Sequence, residues 1–195
     1  LGVIGIIAPW NYPLLLSLGP LICALAAGNH AMIKISSASS EFGQVLEKAL
    51  NEAFPIELVA VINGGGKISD AFSHLAFDKI IFTGSTEIGK TVMAAAAQNL
   101  VPVILELGGK SPVLVHPSID LQDVAQRLAA GKLWNSGQTC VAPDYMFLPK
   151  GKTAEQVAAA DGAKVQAVIL SYTAFDLLQS AKNGFETAQN PFWKW

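Results

Sequence analysis

Charge is scarce in this chain. Asp, Glu, Lys and Arg make up 14% of its 195 residues, and the first of them is Lys34. The net charge is −2 and no stretch gathers Lys and Arg into a patch, so nucleic acid is not expected as a partner. Cysteine is scarcer still. Cys23 and Cys140 are too few for a disulfide framework and show no CxxC zinc spacing, which makes a reducing cytoplasm the default expectation. The three histidines, His30, His74 and His116, stand apart with no second ligand at metal spacing, so no metal site is expected. What the chain has instead is apolar residues, 51% of the total, enough for a sizeable core and incompatible with general disorder.

The uncharged opening raises the question of a membrane span. Pro9, Asn11, Pro13, Gly19 and Pro20 should break it into pieces too short to cross a bilayer. A secretory leader would need a basic start, and there is none. The sequence begins on Leu1 in mid-pattern, and the reading expects a longer protein around it.

Apolar runs alternate with amphipathic or small-residue stretches. Strands are expected over residues 1–8, 30–35, 57–63, 78–84, 101–107, 111–116 and 145–149, and helices over 16–28, 39–53, 85–99 and 121–137. In the helix over 39–53, Ser39 reads as the N-cap and Phe42, Val45, Leu46, Ala49 and Leu50 as the buried face. Gly28 should end the helix before it. The triple glycine at 64–66 reads as a turn. After residue 152 the pattern weakens to a helix, a strand over VQAVIL and another helix, closed by Trp193 and Trp195, whose expected role is packing against the body. Near-continuous apolar strands alternating with helices predict an α/β, Rossmann-like, doubly wound parallel sheet covered on both faces, with ligands beyond the carboxyl ends of the strands.

The chemistry-bearing residues fall near those ends. In FTGSTEIG (82–89), Gly84 permits a tight turn, Ser85 opens a helix whose free N–H groups can meet a phosphate, and Gly89 lets that helix pack closely. A ligand-free strand–helix turn explains the stretch about as well. In ELGGK (106–110), Glu106 ends an apolar run; it is either a structural carboxylate tied to backbone or a general base. In APWNYP (8–13), Asn11 stands in a rigid turn, where its amide either satisfies the turn or donates to an oxyanion. Cys140, in WNSGQTCVAPD (134–144), is left by the cysteine count as an apolar filler or a nucleophile.

Taken together, PWN (9–11), the Lys of IK (33–34), FTGSTEIG, LELGGKSP (105–112) and GQTC (137–140) resemble the aldehyde dehydrogenase superfamily in order and spacing. The APDY after the cysteine (142–145) is most similar to class 3 and coniferyl-aldehyde-type members. The resemblance implies an incomplete nucleotide-binding domain over residues 1–110, the start of a catalytic domain over 111–152 carrying the nucleophile, and a divergent tail over 153–195. It implies Cys140 as nucleophile, Asn11 as oxyanion donor together with the Cys140 backbone N–H, and Glu106 as the base that activates water. It further implies a nicotinamide cofactor, NAD or NADP, on Ala8, Pro9, Trp10, Lys34, Ser37, Gly84, Ser85, Gly89, Leu107 and Gly108. The substrate would be an aromatic or medium-to-long aliphatic aldehyde. Cys23, in an apolar helix, is then expected in the core.

Three departures from the family pattern matter. Where the family has K-P-x-E, this chain has Lys34-Ile35-Ser36-Ser37, so serine stands where a carboxylate would bind the adenosine ribose. A carboxylate there repels a 2′-phosphate and a serine does not, which predicts tolerance of NADP. The family's chains are also more than twice as long, and residues 153–195 do not resemble the family's next segment. A shortened chain would expose apolar surface and favour self-association, so a homo-oligomer is an expectation. Two alternatives stay open at this point: an inactive nucleotide-binding remnant, and a cysteine hydrolase that uses Cys140 without a cofactor.

Overall fold

Five short apolar runs form one parallel sheet in the computed structural model, which describes residues 1–160. The chain divides into two compact units, Leu1–Gly108 and a second that begins at Gly109. The first runs β1 (Val3–Ala8), α1 (Pro13–Ala26), β2 (His30–Ile35), α2 (Ser40–Ala53), β3 (Val59–Ile62), α3 (Gly66–Ser73), β4 (Lys79–Gly84), α4 (Thr86–Ala97) and β5 (Val103–Leu107). The strands lie in the order β3-β2-β1-β4-β5, all parallel, as the doubly wound reading expected. The chain moves outward from β1 to β3, then returns to the other side of β1. Right-handed crossovers therefore place helices on both faces. The two faces carry separate cores. Ile4, Ile6, Ala8, Ala31, Ile33 and Ile35 pack with Leu21, Leu46 and Leu50 on one side. Ile80 and Phe82 pack with Phe72, Val92 and Ala96 on the other, joined by Ile7 and Met32. Alternate residues of the same strand thus serve opposite faces, which is why these runs are apolar throughout.

Several expectations need correction. The helix expected from residue 16 begins at Pro13 and runs through Gly19 and Pro20. Pro13 is tolerated because the first helical N–H has no intrahelical partner anyway. The helix has 14 residues, and no helix of the described residues is long and apolar enough to cross a membrane. Its buried residues are Ser17, Leu21 and Ala24; Ser17 is accommodated by a 2.6 Å bond from Oγ to the Pro13 carbonyl. Cys23 falls outside that stripe and is exposed, not core. Gly28, at φ +81°, ends the helix as expected. In α2, Val45 and Ala49 are exposed while Gly43, Leu46 and Leu50 face the sheet. Ser39 holds the N-cap position without a capping bond; its hydroxyl donates to the Trp10 carbonyl instead, at 3.4 Å. Gly66, expected in a turn, opens α3, whose Phe72 and Ser73 are buried.

The second unit contains β6 (Ser111–Leu114), α5 (Leu121–Leu133), a 3-10 turn (Trp134–Gly137), β7 (Pro143–Phe147) and α6 (Ala154–Ala160). The strands pair in parallel as a separate two-stranded sheet, with an irregularity between Ser111 and Pro112. Val124, Ala125, Leu128, Met146 and Val157 form its core. The α5 N-cap is Asp120, whose Oδ1 accepts the Gln122 N–H at 3.1 Å. The strand expected over VQAVIL, the helix after it and the packing of Trp193 and Trp195 lie outside the described residues.

Candidate active site

The strand order reverses beside β1, because β2 lies on one side of it and β4 on the other. In such sheets the crevice opens at the carboxyl ends of the two strands flanking the reversal. The register fixes what stands there. Ala8 pairs Ile35, Ile7 pairs Phe82, and Gly84 pairs Leu107, so the ends of β2, β1, β4 and β5 share one edge. That edge brings together Ala8–Asn11, Lys34–Ser37, Gly84–Ser85 and Glu106–Gly108. Glu106 pairs Thr83 of β4, and β4 pairs β1, which puts Glu106 about 10 Å from β1 by the ordinary strand spacing.

Pro9 is buried, Asn11 partly buried and Trp10 exposed. Lys34 is the most unusual residue of the edge. Its side chain is 1% exposed, and Nζ donates to the carbonyls of Ile35 at 2.6 Å and Gly64 at 2.8 Å. Burial lowers its pKa from the ordinary lysine value. Ser36 Oγ accepts the Ala38 N–H at 3.3 Å and turns the chain, leaving Ser37 exposed at the start of a 3-10 turn, Ser37–Ser39. Gly64 was not expected from the sequence. The signal that could have found it is topological, since the residue after β3 must reach the same edge as Lys34.

Ser85 caps α4, its Oγ accepting the Ile88 N–H at 3.4 Å. Gly89 is buried, and a Cβ there would sit 2.8 Å from Leu107 Cδ2, so it does let α4 close on β5. Gly84 acts differently from the expectation. Its backbone is not left-handed; a Cβ would instead strike the Phe82 ring at 2.5 Å. Glu87 in the first turn of α4 is paired with Lys90 at 3.1 Å, which offsets its charge near the helix N-terminus. Glu106 alternates with the inward-packed Leu105 and Leu107 and is exposed, so its carboxylate is solvated rather than buried. This donor set fits a dinucleotide: the N-terminus of α4, held close to β5 through Gly89, and a buried ammonium with no carboxylate within ion-pair distance among the described residues.

Cys140 belongs to the second unit. It is exposed, in a segment that follows a left-handed turn at Asn135 (φ 48°), Ser136 (φ 57°) and Gly137 (φ 80°). Thr139 Oγ1 donates to the Trp134 carbonyl at 3.5 Å, and the Ala142 N–H donates to the Thr139 carbonyl at 3.1 Å. Of the histidines, His30 contacts the Glu57 carbonyl at 2.6 Å, His74 lies 3.9 Å from Asp70, and His116 contacts Ser118 at 2.8 Å. No group of three His, Cys, Asp or Glu able to hold a metal occurs among the described residues.

Comparison with known proteins bears on the family of the chain. The aldehyde dehydrogenase family model matches residues 1–171. A Pseudomonas aeruginosa protein named "Probable coniferyl aldehyde dehydrogenase" is 54% identical over 157 residues, covering 80% of this chain and 33% of its own length. A coniferyl aldehyde dehydrogenase of a Pseudomonas species, strain HR199, is 47% identical over 150 residues, 77% of this chain and 31% of its own. The substrate-bound structure of Staphylococcus aureus AldH superposes with a TM-score of 0.78 at 37% identity, over 93% of this chain and 43% of that one. A Mycobacterium tuberculosis aldehyde dehydrogenase complexed with NAD+ superposes with a TM-score of 0.75 at 30% identity, over 82% of this chain and 33% of that one. This chain therefore spans about a third of the length of the curated relatives it matches. With its switch-point edge and its match over residues 1–171, the chain belongs to the aldehyde dehydrogenase family.

Proposed function

We propose that this chain carries the nucleotide-binding segment and the nucleophile of an NAD(P)-dependent enzyme that oxidises an aldehyde to a carboxylic acid. The observation that carries the reading is the shared edge: four separate stretches meet at the carboxyl ends flanking the strand reversal. Relatives named as coniferyl aldehyde dehydrogenases favour an aromatic aldehyde as substrate over a medium-to-long aliphatic one.

In the proposed reaction, Cys140 as thiolate adds to the aldehyde carbon. A C–S bond forms and the carbonyl oxygen takes up the electron pair. The Asn11 side-chain amide and the Cys140 backbone N–H would hold that oxyanion. A nicotinamide, when bound, would supply the acceptor for the hydride that leaves the former aldehyde carbon. Glu106 then removes a proton from water, the hydroxide adds to the thioester carbon, and the C–S bond breaks to return the thiolate. The net change consumes aldehyde, oxidised cofactor and water, and gives carboxylate, reduced cofactor and two protons. Ala8, Pro9 and Trp10 at the β1 end, Lys34 and Ser37 at the β2 end, and Ser85 with the start of α4 would hold the cofactor, Ser37 at its adenosine ribose and the helix start at its pyrophosphate. Gly84 and Gly89 would let the strand end and α4 pack close beneath it, with Leu107 and Gly108 at the β5 end of the same edge. Two free cysteines suit a reducing cytoplasm.

Calorimetry with NAD and NADP, followed by assays with an aromatic aldehyde, tests the reading. Cys140→Ala should keep nucleotide binding and lose turnover. Glu106→Gln should accumulate an acyl adduct on Cys140, visible by mass spectrometry. NADP should bind comparably to NAD, and Ser37→Glu should weaken NADP by about tenfold, the repulsion of a carboxylate and a phosphate a few ångströms apart in water. A chain that is folded but binds neither nucleotide refutes the proposal. An NAD preference of about tenfold or more refutes the role of Ser37.

A further inference from the structure

We propose that Gly109 and the Lys110–Asp144 ion pair position the backbone of Cys140 for its reaction. The inference rests on Cys140 as the nucleophile, but its evidence lies in the packing of the second unit.

Gly108 and Gly109 are consecutive, yet only one of them is sterically required. A Cβ at Gly108 would meet nothing within 4 Å. A Cβ at Gly109 would lie 3.1 Å from the carbonyl oxygen of Cys140, tighter than an ordinary van der Waals contact, and the atom it meets is backbone rather than a flexible side chain. The start of the second unit therefore lies directly against the peptide of the cysteine. The next residue repeats the link: Lys110 Nζ is 3.6 Å from Asp144 Oδ1, and Asp144 lies in β7, four residues after Cys140. The other carboxylate oxygen, Oδ2, is buried without a hydrogen-bond partner among the described residues. The Lys110 and Asp144 side chains are 58% and 24% exposed, so the pair contributes only about 0–1 kcal/mol to stability. Its use is to hold register beside the irregularity between Ser111 and Pro112.

The opposite end of the cysteine segment is held as well. The left-handed turn at Asn135–Ser136–Gly137 starts it, and a Cβ at Gly137 would approach the Lys132 carbonyl to 3.3 Å. The Gly131 site admits Pro143 of β7, whose Cγ would be 3.4 Å from an added Cβ. The thiol itself is exposed, and the Cys140 backbone sets the Cα–Cβ bond about which the sulfur turns. A nucleophile displaced by about 1 Å loses about a hundredfold in rate, so a push of a few tenths of an ångström on the Cys140 peptide is chemically visible.

The test is alkylation of the 195-residue chain by iodoacetamide without nucleotide or aldehyde, with peptide mass spectrometry reading Cys140 and Cys23 in the same molecules. Gly109→Ala should change the Cys140 to Cys23 rate ratio by about fivefold or more. Lys110→Met and Asp144→Asn should change it in the same direction, and Lys110→Arg should restore it. Where aldehyde turnover is measurable, the same variants should lower kcat with KM little changed. A ratio within about twofold of the parent in Gly109→Ala and Asp144→Asn overturns the proposal. If Gly109→Ala does not fold, the two ion-pair variants decide alone. Because the readout needs neither nucleotide nor substrate, an absent dehydrogenase activity and an unmoved ratio are separate results.

Discussion

Gly5→Ala is the sharpest test of how β1 presents Ala8–Asn11. Gly5 is buried in the central strand, paired to Met32 on one side and Ile80 on the other. A Cβ there would lie 2.8 Å from both Cδ2 and Cε2 of Phe77 and 3.1 Å from its Cγ. Carbon atoms prefer about 3.5–4.0 Å, so the ring must retreat by most of an ångström. It has little space to do so, being 6% exposed and packed on Phe72 with ring centroids 4.9 Å apart. The strand cannot yield either, because it is hydrogen-bonded on both edges. Overpacking of this kind costs about 1–3 kcal/mol. Replacing a strand glycine regains about 0.5–1 kcal/mol of chain entropy. The net expectation is about 1–2 kcal/mol of destabilisation, or a urea midpoint lowered by about 0.5–1 M. Far-UV circular dichroism against urea measures it. In a Phe77→Leu background the same substitution should cost about 1 kcal/mol less, a coupling a double-mutant cycle resolves. Because the misfit is confined to the middle of the strand, the nucleotide dissociation constant of folded Gly5→Ala should change by less than about twofold. A Gly5→Ala chain as stable as the parent would refute the rigid central strand.

Two further outcomes are expected. Leu100, after α4, has φ 56° and is 89% exposed, so Leu100→Gly should stabilise by about 1 kcal/mol through release of left-handed strain, read as a raised urea midpoint. Lys34 has a folded pKa lowered by burial from 10.5, so between that lowered value and 10.5 the unfolded chain binds more protons and stability rises with pH; urea titrations of parent and Lys34→Met across that window should show the parent gaining on the variant as pH rises, and a constant difference would refute the buried charge.

The doubly wound parallel sheet was legible because β1, β2 and β4 are apolar on both faces, a pattern a covered parallel sheet explains; the strand order was not. The residues on its carboxyl edge were legible for the same reason, since a strand's end is visible as the end of its apolar run. What failed was the choice of face on uniformly apolar or small-residue helices. In α1, periodicity cannot say that Ser17 faces in and Cys23 out, because the deciding term is a hydroxyl bond to the Pro13 carbonyl. Helix α3 was hidden because Gly64, Gly65 and Gly66 carry no helix propensity; tertiary packing of Phe72 forms it. The use of Gly109 was equally hidden, since a close approach to a backbone carbonyl leaves no pattern in composition.

Two features of this chain break local rules, and they fall where the proposed chemistry is. Lys34 buries a charge with no carboxylate to balance it among the described residues, and Asn135 with Ser136 holds two non-glycine residues left-handed. Each is costly, the second by about 1–2 kcal/mol per residue. Leu100 shows the alternative, a left-handed residue that merely ends a helix and precedes the amino end of β5 rather than standing on its carboxyl edge. The difference is what the strain accomplishes. At Leu100 glycine would serve better and nothing is lost by the exchange. At Ser136 a glycine would relieve comparable strain but loosen the start of the segment that carries Cys140. Ser136→Gly should therefore stabilise the chain by about 1 kcal/mol while changing Cys140 alkylation relative to Cys23, whereas Leu100→Gly should stabilise it and leave that ratio alone. Equal behaviour of the two variants would mean that the turn before the cysteine is only a helix end.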